Sequence, residues 1–295
     1  MRLHVVSDVH GRVDALARAG AGADALVVLG DLLLYLDYAD PSQGIFADLL
    51  GSAAGAEFAE LRKEHRFADL RAASGRLLGA IDDLPGAVTA AARAQYAELF
   101  AAMPTPAYCT YGNVDMPALW PEFIDDQRRM FDAEVIEIGG WRFGFVGGWP
   151  RRPLPAAQRL PFGPDAVGST VGAPVPVPAG GSPSGGRRPA MAPIVQFGAD
   201  FSVEEFAAKV AALGPVDVLC SHVPPAVPEL RWDTVTRRPE VASEALLEAI
   251  HEFQPKYALF GHVHQPLQAR LRIGRTECVN VGHFRATGRP FVLNW

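Results

Sequence analysis

The sequence predicts an α/β fold organised around a largely parallel sheet that is buried on both faces. Short apolar runs recur along the 295-residue chain, and helix-like segments separate many of them, which is the pattern of βαβ units. Polar side chains of a few kinds follow five of these runs. Such residues at the carboxyl ends of parallel strands are typical of a ligand site.

The N-terminal part of the chain predicts a βαβ unit followed by a helical region. The unit consists of the strand Leu3–Ser7, the helix Val13–Ala19 and the strand Ala25–Leu29. From position 38 to 103 the chain is rich in alanine, and its clearest helical segments are Leu61–Leu78 and Val88–Met103, separated by a Pro-Gly pair. We therefore expect residues 38–103 to form a helical insert or cap.

The remaining elements surround one long loop. Residues 150–193 are rich in Pro and Gly without periodicity, which predicts a long loop. Before it we predict the strand Tyr108–Tyr111 and a hairpin of Val135–Ile138 and Trp141–Val146. After it we predict the helices Val203–Leu213, with a capping box of Ser202 and Glu205, and Ala242–Phe253, and the strands Val216–Cys220, Tyr257–Phe260, Leu267–Ile273, Thr276–Val281 and Phe291–Asn294. We expect residues 1–295 to form a single domain.

Composition narrows the classes of function. The formal net charge is −6, so the broad positive field of a non-specific nucleic-acid binder is not expected, although a nuclease with a local basic patch stays open. Cys109, Cys220 and Cys278 are too few and too scattered for a disulfide framework. No signal peptide or membrane-spanning run is visible. We expect a cytoplasmic protein without a membrane partner; the oligomeric state is left open.

The polar residues at the predicted strand ends have a coherent chemistry. Asp, Asn and neutral His are suitable ligands for Mg, Mn, Fe, Zn and similar ions. Taken singly, each also fits an ordinary turn, a cap or a buried core histidine. Four of the eight histidines fall at these junctions, and together the junctions predict a metal site. Its candidate residues are Asp8, His10, Asp31, Asn113, Asp115, His222, His262 and His264.

The ordered set Asp8-x-His10, Gly30-Asp31, Gly112-Asn113-x-Asp115, His222 and Gly261-His262-x-His264 resembles the calcineurin-like metallophosphoesterase family. The resemblance implies a four-layer α/β/β/α sandwich, here with the helical insert and the long Pro/Gly-rich loop. It also implies two divalent metal ions, of which Mn2+ or Fe is expected and Mg2+, Zn2+ or Ni2+ is possible. Asp8, His10 and His264 would hold one ion, Asn113, His222 and His262 the other, and Asp31 would bridge them.

The implied function is hydrolysis of a small phosphate ester by a hydroxide shared between the two ions. Asp31, Asn113 and Asp115 are the expected catalytic residues, and Arg12, Asn113 and His222 the expected substrate contacts. Many relatives carry a histidine, which helps to protonate the leaving group, where this chain has Val114. This departure resembles the small bacterial phosphodiesterase branch and favours phosphodiesters. A phosphomonoesterase, a nuclease and a non-catalytic binding protein on the same fold are the alternatives.

Three further positions have two interpretations each. His283 follows a predicted strand beside the last motif and either reaches the site or has only a local structural role. Trp149, after Gly147-Gly148, either rims the pocket or packs beneath the long loop. Arg12 directly follows the first motif and is either a phosphate contact or a surface arginine.

Overall fold

A computed structural model describes residues 1–151 and 199–295. Its first sheet has the strand order β15-β1-β2-β3-β4, in which β1 to β4 are parallel and β15 is antiparallel to β1. The strands are β1 (Arg2–Val6), β2 (Ala25–Val28), β3 (Ala107–Cys109), β4 (Arg128–Met130) and β15 (Phe291–Asn294). The carboxyl ends of β1, β2 and β3 therefore share one edge of the sheet.

The second sheet contains six strands in the order β13-β14-β12-β9-β6-β5. Its four central strands are parallel, and each edge strand pairs with its neighbour in antiparallel fashion. The strands are β5 (Glu134–Ile138), β6 (Trp141–Val146), β9 (Val218–Ser221), β12 (Tyr257–Phe260), β13 (Arg270–Ile273) and β14 (Thr276–Asn280). Two short ribbons accompany them, β7 (Trp149–Pro150) with β8 (Asp200–Phe201), and β10 (Trp232–Asp233) with β11 (Arg238–Pro239).

The buried hydrophobic side chains form three layers, one between each pair of neighbouring secondary-structure layers. The fold is therefore the predicted four-layer α/β/β/α sandwich. Val5 and Val27 of the first sheet pack with Phe143 of the second, so the two sheets face one another. On the opposite face of the first sheet, Val28 packs against the N-terminal helices. On the outer face of the second sheet, Leu219 packs against the C-terminal helices. This layering follows from strands that present apolar side chains in both directions.

The helices cover the two outer faces. Those on the first sheet are α1 (Val13–Leu16), α2 (Ile45–Leu50), α3 (Ser52–Lys63), α4 (Phe67–Leu78) and α5 (Leu84–Ala102), followed by a 3-10 helix at Pro117–Glu122. Those C-terminal to residue 199 are α6 (Val203–Leu213), α7 (Pro228–Arg231), α8 (Glu244–Phe253) and α9 (Phe284–Thr287), of which α9 packs through Phe284 in the core on the first sheet. Ser202 and Glu205 form the predicted capping box of α6. Within residues 1–151 and 199–295, no helix is both long and apolar enough to cross a membrane.

Two predicted helix boundaries are wrong. The continuous helix Leu61–Leu78 is interrupted, because His65 takes a left-handed conformation (φ 57°) and the Arg66 N–H bonds back to the Leu61 carbonyl at 2.9 Å. That bond closes a helix in the manner of a Schellman motif. The helix predicted from Val88 begins at Leu84 instead, because the Asp83 side chain accepts the Gly86 N–H and caps it.

The predicted helical insert exists and forms a structural layer. Helices α2 to α5 lie within residues 38–103, and Phe46, Val88 and Tyr96 belong to the hydrophobic layer that also contains Val28 of the first sheet. The insert is therefore part of the sandwich. Of the predicted Pro/Gly-rich loop at 150–193, residues 152–193 lie outside the described residues.

Candidate metal centre

The predicted ligand residues meet where the carboxyl ends of the strands converge. A first group surrounds the Asp8 Oδ1 atom, with His264 Nε2 at 3.3 Å and His10 Nε2 at 3.9 Å. The two imidazole nitrogens of this group are 3.3 Å apart. These atoms come from the loops after β1 and β12, which belong to different sheets, so the interface between the sheets ends at the site.

A second group surrounds the side-chain oxygen of Asn113. His222 Nε2 and His262 Nδ1 each lie 2.9 Å from this oxygen. Asp31 stands between the two groups, because its Oδ2 atom is 3.4 Å from His222 Nε2 and 3.8 Å from His10 Nε2. The structure thus brings together all seven residues predicted to bind metal, with Asp31 in the bridging place.

Backbone carbonyls orient two of the histidines. The Nδ1 atoms of His10 and His222 lie 2.9 Å from the carbonyl oxygens of Leu33 and Leu29, respectively. A carbonyl only accepts, so each Nδ1 carries a proton, and in the neutral ring Nε2 keeps a lone pair directed into the cluster. The Asp8 Oδ1 atom is buried and has no hydrogen-bond partner within the described residues. An unpaired buried carboxylate oxygen among histidine nitrogens fits a cation ligand.

The titratable groups of the cluster shift one another's pKa values. Burial acts to lower the pKa of His222, but the carboxylates of Asp31 and Asp8 outweigh it and raise that pKa to about 9. Burial and the charge of His222 lower the pKa of His262 to about 3. Burial acts to raise the pKa of Asp8, but His264, with the other histidines, holds it well below its usual range. Burial also acts to raise the pKa of Asp31, but His222 lowers it, so the carboxylates of Asp8 and Asp31 are charged at neutral pH, as metal binding requires.

The ligand loops require unusual backbone conformations. Asp8, His10, Asp31 and His262 all have positive φ, between 43° and 66°, at a cost on the order of 1–3 kcal/mol each. Cross-bonds between neighbouring loops offset the cost, for example from the His10 N–H to the Asp31 carbonyl at 2.9 Å. Left-handed non-glycine residues held in this way are concentrated at functional sites.

Gly112 makes close approach of two loops possible. A Cβ at this position would lie 2.6 Å from the Asp31 amide nitrogen and would also collide with the Asp31 carboxylate. Any larger residue would therefore displace the bridging ligand. Gly261 has the same function beside Asp8, since its Cβ would collide with the Ser7 and Asp8 side chains. These glycines follow strands, where close packing of loops at a site leaves no room for a side chain.

Asp115, predicted as catalytic, lies beneath the ligands. Its side chain is fully buried, and burial together with the charge of Asp31 raises its pKa to about 6. Its two oxygens accept hydrogen bonds from the N–H groups of Asp31 (2.8 Å), Gly112 (2.9 Å), Leu32 (3.0 Å) and Leu33 (3.4 Å) and from the Tyr96 hydroxyl (3.1 Å). This geometry favours bracing of the loop that carries Asp31; a catalytic role for Asp115 stays a prediction.

The predicted substrate contacts differ in their surroundings. The Asn113 oxygen faces the ligand histidines, and the His222 ring is fully buried, which favours its metal-binding role over contact with substrate. The Arg12 guanidinium donates to the Arg285 carbonyl and lies 3.9 Å from Asp14. Its contact with phosphate stays a prediction. Trp149 is buried with its ring 5.7 Å from that of His262, so it packs at the edge of the cluster.

Several residues that organise the site were not identified from the sequence. Gln95 of α5 pairs with both the N–H and the carbonyl of Leu34, at 2.9 and 3.0 Å. Arg285 donates to the His10 carbonyl at 2.6 Å and to Asp37. Each contact joins residues more than 60 positions apart in sequence. No local motif announces such long-range contacts.

The sequence profile of the calcineurin-like phosphoesterases matches residues 1–266, a range that includes every ligand described above. The chain belongs to this family. Calcineurin-like phosphoesterases are metal-dependent hydrolases that generally bind two divalent ions, which agrees with the pair of ligand groups. No curated protein matches the chain significantly in sequence.

One solved structure has the same fold at low sequence identity, and two others are similar at lower TM-scores. One crystal structure is 14% identical over 96% of this chain and 91% of its own, with a TM-score of 0.52. The protein TT1561 of Thermus thermophilus is 13% identical over 99% of this chain and 98% of its own, with a TM-score of 0.46. A putative 5'-nucleotidase from Staphylococcus aureus, solved with alpha-ketoglutarate, is 15% identical over 95% of this chain and 48% of its own, with a TM-score of 0.40.

Proposed function

We propose that this metal-dependent phosphoesterase hydrolyses small phosphodiesters at a centre of two divalent ions bridged by Asp31. The position of Asp31 Oδ2, 3.8 Å from His10 Nε2 and 3.4 Å from His222 Nε2, carries the proposal. Asp8, His10 and His264 would hold the first ion, and Asn113, His222 and His262 the second. Two such ions supply a water-derived nucleophile and stabilise negative charge on the phosphoryl group.

The donor set supports Mn2+ or Fe. Four imidazole nitrogens are combined with carboxylate and amide oxygens, and imidazole is a poor match for Mg2+, which prefers oxygen ligands and retained water. Zn2+ and Ni2+ are compatible with the same donors. The ligand types therefore place Mg2+ last, and a metal-reconstitution series measures the order among Mn2+, Fe, Zn2+ and Ni2+ directly.

A cytoplasmic location stays a prediction.

Charge supports a diester over a monoester. Two divalent ions bring four positive charges, of which Asp8 and Asp31 offset two. A hydroxide nucleophile offsets one more, and the remaining charge matches the single negative charge of a phosphodiester. A monoester approaches two negative charges near neutral pH. The guanidinium group of Arg285 donates to the His10 carbonyl and pairs with Asp37, so its charge is already offset.

Val114 supports the same preference. Its side chain is buried and carries no proton to transfer, so this position cannot assist a poor leaving group. Its N–H instead donates to Asp31 Oδ1 at 3.0 Å, which helps to orient the bridging carboxylate. The residue thus contributes to the geometry of the site through its backbone alone.

Paired chromogenic substrates test the proposal. We expect Mn2+-dependent cleavage of a phosphodiester, at least tenfold faster than of the matching monoester, and loss of both activities with chelator or with Asp31→Ala. His251→Ala, an exposed position on α8, is the matched control and should retain full activity. Faster cleavage of the monoester would overturn the diester preference. If neither ester is cleaved with Mn2+, Fe, Zn2+ or Ni2+, the assignment of phosphoesterase activity is overturned and a binding protein on this fold is favoured.

A further inference from the structure

His283 lies against the first ligand group without belonging to it. The residue precedes α9, and its ring stacks face to face on that of His264, with centroids 3.8 Å apart and an interplanar angle of 13°. It also meets His10 edge-on, with centroids 5.9 Å apart. A ring nitrogen of each of these three histidines lies within 4.8 Å of the others. His283 therefore contacts both histidines of the group.

The stack excludes coordination of one ion by both rings in this arrangement. A metal ion lies in the plane of each imidazole that binds it, along the nitrogen lone pair. The ring planes are inclined by only 13° with centroids 3.8 Å apart, so they meet far beyond the roughly 2 Å length of a metal–imidazole bond. His264, whose Nε2 atom lies 3.3 Å from Asp8 Oδ1, is the ring that faces the ligand position. His283 consequently acts on His264 through its face.

His264 has less hydrogen-bond support from the backbone than His10 and His222 have. Its side chain is 40% exposed, whereas that of His10 is 12% exposed and that of His222 is fully buried. The latter two each bond through Nδ1 to a backbone carbonyl. Within residues 1–151 and 199–295, no such carbonyl partner is found for the Nδ1 atom of His264. The ring of His264 is therefore less constrained by hydrogen bonds than the rings of His10 and His222.

We propose that His283 is a positioning residue, whose stacked ring fixes the plane of His264 and thereby directs the Nε2 atom of His264 at the ion shared with Asp8. The stack takes the place of the outer hydrogen bond that orients a typical metal-binding histidine. The Nε2 atom of His283 is buried without a hydrogen-bond partner among the described residues, so the aromatic face makes the visible contact. This inference rests on the proposed metal-binding role of His264.

Two substitutions separate the face of the ring from its nitrogens. His283→Ala removes the stack, and His283→Phe restores an aromatic face without ring nitrogens. An aromatic pair contributes about 0.5–1.5 kcal/mol beyond its buried area. Loss of this contribution in His283→Ala should lower the Mn2+ affinity of one of the two sites by about 2- to 12-fold. His283→Phe should bind within about twofold of the unsubstituted protein. His251→Ala is the control for removal of an exposed histidine.

Isothermal titration of the metal-free full chain with Mn2+ measures both affinities, and circular dichroism confirms that each variant is folded. An unchanged affinity in His283→Ala overturns the positioning role. A loss in His283→Phe as large as that in His283→Ala also overturns it, because a nitrogen would then be required. Even if His283→Ala fails to fold, the affinity of His283→Phe decides between face and nitrogen. Absence of Mn2+ binding by the unsubstituted protein would instead refute the proposed metal centre itself.

Discussion

The hydroxyl group of Tyr96 ties the helical insert to Asp115 and Met116 in the loop after β3, and its removal should weaken the fold measurably. This hydroxyl donates to Asp115 Oδ1 at 3.1 Å and accepts the Met116 N–H at 2.7 Å, and all three groups are buried. Tyr96→Phe loses a hydrogen bond to a charged group and leaves a buried N–H unsatisfied. Each effect is worth about 1–3 kcal/mol, and because they overlap we expect a loss of about 2–4 kcal/mol in the free energy of unfolding.

Tyr35→Phe is the matched control. Tyr35 belongs to the same hydrophobic layer, but its buried hydroxyl has no hydrogen-bond partner among the described residues. Removal of that hydroxyl should therefore change the free energy of unfolding by less than about 0.5 kcal/mol or increase it. Urea unfolding of the metal-free proteins, followed by circular dichroism, measures both values. Equal losses in the two variants would refute the assignment of Tyr96 as a brace.

Three further predictions concern the metal centre. The carboxylates of Asp31 and Asp8 raise the pKa of His222 to about 9, so its ring is protonated at pH 7 and must lose a proton to bind metal. Titration with Mn2+ in buffers of different ionisation enthalpy should therefore reveal proton release that declines above about pH 9. Proton release that stays constant with pH would contradict this prediction. Gly112→Ala should reduce Mn2+ affinity at least tenfold, because the added Cβ would displace Asp31. The control Gly75→Ala adds a methyl group in open space on α4, so it should retain the Mn2+ affinity and stabilise the helix by about 1 kcal/mol. Saturation with metal at about 100 times its dissociation constant should raise the unfolding free energy by about 2.7 kcal/mol over chelated protein, and identical melting curves would count against a bound ion.

The strand-end residues could be predicted because the chemistry is local in sequence. Asp8 with His10, and His262 with His264, stand two positions apart immediately after apolar strands. The parallel arrangement of those strands then brings distant junctions to one edge. The family resemblance implies a bridging role for Asp31, which stays a prediction; the structure places its Oδ2 atom between His10 and His222.

The supports of those ligands could not be predicted, because they depend on contacts between distant segments. The Leu29 carbonyl that orients His222 is separated from it by 193 positions, and a backbone carbonyl leaves no trace in residue identity. The bracing contacts of Asp115 could not be predicted for the same reason, since Tyr96 donates to it from a helix 19 positions away whose packing the sequence does not specify. The short strand β4, with the sequence Arg128-Arg129-Met130, was missed because it lacks an apolar run and owes its place to pairing with β3.

The structure explains how ligands on separate loops are aligned before an ion arrives. Asp115 gathers the N–H groups of the Asp31 loop, while the carbonyls of Leu29 and Leu33 select the tautomers of His222 and His10. These carbonyls belong to the same segment that carries Asp31, so one segment orients histidines of both ligand groups. A displacement of that segment would therefore disturb both ligand groups together. The dense hydrogen bonding around residues 29–34 follows from this shared dependence, since the bridging carboxylate and its neighbours must hold their positions jointly.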